Sequence, residues 1–136
     1  MNLILEDKVY ALEIDLNKLY ENKRLRAKIG FTTKDMNKRI AGFRFSGNLR
    51  KKEHLVRKVY VSKNILAKSI ERIATEIAIV RGYERVNDKN LGLGYTEWFY
   101  CSGEQIKSCI LQAYRIVKNE NKKRGKNGKK KKIKSI

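Results

Sequence analysis

One histidine, His54, and two cysteines, Cys101 and Cys109, are all that this chain of 136 residues offers of those types. The cysteines form no C-x-x-C pair, so a Cys/His zinc site has too few ligands. A serine or cysteine triad would have to take His54 as its base, and nothing around His54 suggests one. Two thiols eight residues apart in a basic chain read instead as ordinary half-buried side chains in a reducing compartment. Long apolar runs are also missing. None approaches the ~18 residues that a membrane span needs, which excludes a helical membrane protein. Glu6 and Asp7 interrupt the N-terminal stretch, so it does not read as a signal peptide. The expected location is the cytoplasm or nucleoid, or the nucleus in a eukaryotic host.

Acidic residues are few as well: 14 Asp or Glu stand against 33 Lys or Arg, a net charge of +19. A chain this basic meets a polyanion, and nucleic acid is the default partner, DNA first and RNA second. Hydrophobic residues make up 41%, enough for a core, so global disorder is excluded. The length supports one domain, assigned to residues 1–117. Residues 118–136 hold ten Lys or Arg and one acid, Glu120, so this segment carries +9 and the domain before it +10. Such a tail is expected to be disordered alone and to act as an electrostatic arm that neutralises phosphates. No internal repeat is present, and nothing in the sequence indicates an oligomeric state.

The elements follow from patterning. Val9–Leu16 partly alternates and is rich in β-branched and aromatic residues, which predicts a strand. Asn17–Arg24 is a polar connector and Leu25–Phe31 a second strand, making an antiparallel hairpin the simplest topology. Gly30 is read as a tight turn, and Thr32 and Asp35 have the spacing of a helix start. Met36, Ile40 and Phe43 form the core stripe of the helix after Thr33. A basic loop over Phe45–Glu53 leads to a third strand, His54–Val61, whose apolar residues pair up rather than alternate. Ser62 is the expected N-cap of a long helix with Leu66, Ile70, Ile73, Ile77 and Val80 on one face, stopped by Gly82. Tyr83–Tyr95 reads as an irregular loop and Thr96–Cys101 as a short strand or extended segment, with Trp98 and Phe99 in the core. Ser102 and Gln105 open a last helix carrying Ile106, Ile110, Ala113, Tyr114 and Val117. The fold class is therefore α/β: a small three-stranded antiparallel sheet flanked by helices, ββαβα plus a C-terminal helix, with a basic disordered tail.

Several motifs fall in order on these elements. Val9-Tyr10-Ala11 lies on the first strand, Lys28-Ile29-Gly30-Phe31-Thr32 ends the second, and Arg39 follows Gly30 by nine residues. Glu71 sits in the long helix, and Thr96-Glu97-Trp98-Phe99 closes the set. In this order and spacing the chain resembles the GIY-YIG nuclease superfamily, in particular the phage-type branch whose second motif is K-I-G-x-T. The likeness spans roughly residues 8–117. Lys8-Val9 stand in place of the Gly-Ile of the first motif, and Thr75 occupies the place where the branch often has a histidine.

The resemblance implies an endonuclease that hydrolyses DNA phosphodiester bonds with one Mg²⁺ or Mn²⁺ ion. It implies Glu71 as the metal ligand, Arg39 as a grip on the scissile phosphate, and Tyr10 as the group that takes a proton from water or orients it. A hard carboxylate oxygen suits Mg²⁺, which keeps several waters and takes phosphate oxygens as ligands. A phenol is a poor base at neutral pH unless a cation lowers it, and Lys28 on the paired strand is the candidate cation. Tyr10 and Lys28 must then share one face of the sheet. His54, beside the basic loop, is a further acid–base candidate. Glu97 reads either as a residue that orients the site or as an anchor for the Trp98 loop. A catalytically silent nucleic-acid-binding module of the same fold is the competing expectation.

Overall fold

A computed structural model of the chain describes residues 6–14, 25–91 and 97–134, leaving aside the side chains of Asn48, Glu53 and residues 122–134. The elements are β1 (Lys8–Ile14), β2 (Arg26–Thr32), α1 (Met36–Ala41), β3 (Val56–Lys63), α2 (Ala67–Val80), β4 (Trp98–Phe99) and α3 (Gly103–Lys134). Short 3₁₀ turns stand at Gly47–Leu49, Glu53–Leu55 and Lys89–Leu91. The expected connector over Asn17–Arg24 and the end of the expected loop, residues 92–95, lie outside the described residues.

The class is α/β as expected, with four strands rather than three: the sheet order is β3-β1-β2-β4 and every pairing is antiparallel. The added strand is only two residues long, too short for alternation to announce it. Beyond it, Arg85 bridges to Phe99, Val86 N–H donates to the Trp98 carbonyl at 2.8 Å, and Tyr100 N–H donates to the Glu84 carbonyl at 2.8 Å.

β1 is an interior strand, paired on both sides, and is covered on both faces, which is why V-Y-A-L-E-I reads as a nearly continuous apolar run. Val9 and Ala11, with Ala27 and Ile29 of β2, pack against α2 and α3. Tyr10, Leu12 and Ile14 point the other way, onto Met36, Phe45, Leu49, Val86, Leu91 and Trp98. In β3 the register with β1 slips between Ala11–Tyr60 and Leu12–Lys58, so Val59 is an extra, bulged residue. The bulge turns both Val59 and Tyr60 toward the helical face, which accounts for apolar residues that pair instead of alternating.

Local chemistry sets the helix ends. Asp35 caps α1, accepting from Asn37 N–H at 3.0 Å and Lys38 N–H at 3.4 Å, while Thr32 Oγ1 takes Lys34 N–H at 3.1 Å. Ser62 lies inside β3 and does not cap α2; Asn64 does the ordering there, its side chain accepting from Leu66 N–H at 2.8 Å. Gly82, at φ +85, ends α2 as expected. The Ser102/Gln105 capping box is formed in full, with Gln105 N–H on Ser102 Oγ at 3.1 Å and Ser102 N–H on Gln105 Oε1 at 2.8 Å.

The buried face of α2 differs from the expected isoleucine stripe. Ala67, Ile70, Ala74 and Ala78 are buried, Leu66, Ile73 and Ile77 pack at the rim, and Val80 is 86% exposed. Three alanines let the α2 backbone approach the sheet and α3, so the larger side chains are displaced sideways. On α3, Ile106, Cys109, Ile110, Ala113 and Val117 are buried, while Tyr114 is exposed. Val117 is the last buried residue among those whose side chains are described, and the helical backbone runs on to Lys134.

Candidate active site

In an antiparallel pair, residues directly opposite share a face. Tyr10 is opposite Gly30 and Leu12 is opposite Lys28, so Tyr10, Gly30 and Lys28 face the same way. Gly30 is a strand residue and not a turn, because β2 continues to Thr32. Its role is space. A Cβ at Gly30 would lie 2.1 Å from Tyr10 Cζ and 2.2 Å from the phenol oxygen. The Tyr10 ring therefore lies flat across the bare backbone of β2, and no side chain larger than hydrogen leaves room for it.

That placement carries the hydroxyl to α1. Arg39, inside the short helix capped by Asp35, donates from Nε to the Tyr10 oxygen at 3.1 Å. Its guanidinium also lies over the Phe43 ring, 5.0 Å from the centroid. The terminal amino groups of the fork make no hydrogen bond among the described residues. Burial pushes the Tyr10 phenol above its ordinary value; Arg39 opposes this, and the charges of Glu97 and Glu71 add to the rise. Lys28, the cation expected there, makes no hydrogen bond to the phenol among the described residues. The cation at the oxygen is Arg39, and removal from water outweighs it.

Lys28 is buried, and its ammonium is ion-paired with Glu97, the residue just before β4. Burial draws its pKa below that of an ordinary lysine, the Glu97 contact opposes the fall, Arg39 deepens it and Glu71 opposes it. Glu71, half-buried on α2, is within electrostatic reach of Tyr10, Lys28 and Glu97. Its carboxyl is raised above the ordinary range, first by burial and then by Glu97, with Lys28 and Lys68 acting the other way. No hydrogen bond or ion pair reaches the Glu71 carboxylate among the described residues.

The structure thus brings Tyr10, Lys28 and Arg39 together from β1, β2 and α1, with Glu71 of α2 within electrostatic reach of Tyr10 and Lys28. Beside them opens a cleft of about 210 Å³ lined by Lys28, Arg39, Phe43, Arg44, Glu97 and Trp98, among others. His54 is not part of the group. It is exposed in the 3₁₀ turn before β3, at the end of the sheet where Val56 pairs with Ile14, whereas Tyr10 pairs with Val61. Glu97 belongs to the site more directly than its ambiguous sequence signal implied. Phe43, expected only as part of a core stripe, also lines the cleft, and Arg44 beside it carries no distinguishing pattern in the sequence.

No cluster of three or more His, Cys, Asp or Glu side chains forms a metal cage among the described residues. A Mg²⁺ ion needs no such cage; one or two carboxylates with waters and substrate phosphate suffice. The half-buried Glu71 carboxylate, unpaired among the described residues, fits that mode.

Residues 8–113 match the family described as the T5orf172 domain, and the chain belongs to that family. No curated protein and no solved structure matches the chain. No described helix is long and apolar enough to cross a membrane.

Proposed function

We propose that this T5orf172-domain protein is a divalent-metal-dependent endonuclease of GIY-YIG type that hydrolyses DNA phosphodiester bonds. The observation that carries the reading is the Tyr10–Arg39 contact, 3.1 Å from phenol oxygen to guanidinium Nε, beside a buried ammonium and within electrostatic reach of the Glu71 carboxylate. The net charge of +19 supports a phosphate-rich substrate.

Each side chain then has a separate task. Arg39, tied to Tyr10 through Nε, offers its terminal amino groups to two oxygens of the scissile phosphate. Lys28 adds positive charge on the same side, in a partly dry cleft where it acts more strongly than in water. Tyr10 stays protonated at neutral pH, because burial holds its pKa up, so it orients the attacking water rather than deprotonating it. Glu71 would hold Mg²⁺ or Mn²⁺, an ion that supplies charge neutralisation at the phosphate and assistance to the leaving oxygen.

Nicking of supercoiled plasmid with Mg²⁺, against the same reaction in EDTA, tests the reading. Glu71→Ala should cut at least about 10³-fold more slowly, a loss of several kcal/mol of charge stabilisation, with DNA affinity within about twofold. Normal cutting by that variant in Mg²⁺ would end the metal assignment. The protonated Tyr10 favours one alternative, a module of the same fold that binds nucleic acid without cleaving it. Wild-type protein that binds DNA but never nicks it would select that alternative. RNA and DNA competition across a salt series would then identify the polyanion.

A further inference from the structure

We infer that Glu97 is a positioning residue for Lys28: its carboxylate keeps the buried ammonium charged and aimed into the cleft. The part that concerns cleavage rests on the nuclease reading; the part that concerns Lys28 does not.

The pair is lopsided. The Lys28 side chain is 4% exposed and the Glu97 side chain 59%. Glu97 gives up little water to make the contact, so its own cost is small. Lys28 gives up nearly all of its water, and an ammonium so placed needs a counter-charge or sheds its proton. The sheet is built to supply one. β4 contains only Trp98 and Phe99, and it pairs with Ala27 and Lys28 alone among the strands. Trp98 stands opposite Lys28 and both β4 residues are buried, so the strand fixes the backbone one residue from Glu97. The two-residue strand acts as a bracket that holds a solvent-exposed carboxylate against a buried amine.

The other groups facing Lys28 do not replace Glu97. Arg39 of α1 repels the ammonium, Tyr10 of β1 is neutral at pH 7, and Arg44 at the cleft adds positive charge. Glu71 of α2 attracts it from a greater remove, with no ion pair. Glu97 is the foremost influence opposing the downward pull of burial on Lys28.

Two readouts on the full chain test this, the first independent of activity. The Lys28 side-chain nitrogen is followed by NMR against pH without DNA, in wild type, Glu97→Gln and Glu97→Asp. The expected result is a Lys28 titration about one pH unit or more lower in Glu97→Gln and largely restored in Glu97→Asp. The cleavage profile is then measured. In Glu97→Gln the alkaline limb should move down by the same interval, with kcat at a fixed pH on that limb reduced about tenfold per unit moved and DNA affinity nearly unchanged. The double variant Lys28→Arg/Glu97→Gln should lose that pH shift, since a guanidinium keeps its charge without a partner. An unmoved Lys28 titration in Glu97→Gln overturns the inference, whether or not the protein cuts DNA. A titration that moves in Glu97→Gln, with a wild type that never cuts, supports the positioning role and overturns the nuclease reading alone.

Discussion

The two faces of the sheet are made from the same strands, one residue out of step, and they have opposite characters. On the helical face Val9, Ala11, Ala27 and Ile29 meet α2 and α3 in a dry, alanine-lined core. Its buried carboxylate, Glu13, is fully engaged: Gly103 N–H donates to Oε2 at 2.7 Å, and Arg57 donates to Oε1 at 3.0 Å. The charge sits at the positive end of α3 and serves the fold. On the other face Tyr10, Gly30 and Lys28 look toward a six-residue helix and irregular turns. There, among the described residues, the polar groups have spare capacity: an arginine fork bound only through Nε and a lysine short of water, with the Glu71 carboxylate of α2 in electrostatic reach. Long helices cover surface completely and leave polar atoms only as satisfied anchors. Short elements leave gaps, and a gap beside buried charge is where a ligand can be bound.

The comparison can be broken first on the helical face. Ile70→Ala removes a side chain that is 1% exposed and should cost about 2–5 kcal/mol, read as a shift in denaturant midpoint. Cutting per folded molecule should stay within about twofold, since the Ile70 side chain belongs to the helical-face core and does not line the cleft. A specific loss of cutting in the protein that remains folded would mean the faces are coupled.

Gly30→Ala should invert that pattern. The added methyl must displace the Tyr10 ring, costing about 1–3 kcal/mol of overpacking. It should also reduce nicking about 100-fold, because a misplacement of around 1 Å is enough to do so. Circular dichroism, a thermal melt and a nicking assay together read both effects. Nicking at the wild-type rate would separate the tyrosine from the chemistry.

Lys28→Met sharpens the contrast between stability and use. Cutting should fall, yet the protein should be as stable as wild type or about 1 kcal/mol more so, because a buried charge is replaced by a methylene chain and exposed Glu97 returns to water. The pH dependence checks the sign. A lysine whose folded pKa is depressed binds fewer protons folded than unfolded, so wild-type stability should rise with pH between the folded and the ordinary lysine value. Lys28→Met should lack that component. A melting temperature that drops by several degrees would show instead that the ion pair is a structural support.

The smallest effect is expected at the edge of the molecule. His54→Ala should leave nicking, its pH profile and the melting temperature within error, since His54 is exposed and lies at the Ile14–Val56 end of the sheet. A change in the pH profile would return His54 to the site.

Much of the architecture could be read from the chain because its causes act over a few residues. The strands β1 and β2, the Ser102/Gln105 box and the stop at Gly82 all follow from periodicity and neighbouring hydrogen-bonding groups. Tertiary packing decided the rest. Gly30 resembled a turn glycine because only the folded sheet lays a tyrosine ring over it. The isoleucines of α2 outranked its alanines in hydrophobic pattern, yet close approach to α3 and the sheet selects the alanines for the buried face. Lys28 and Glu97 are 69 residues apart, and nothing local joins them. Their attraction exists only once a two-residue strand has been hydrogen-bonded into place, because burial makes the lysine need the glutamate and burial is a property of the whole fold.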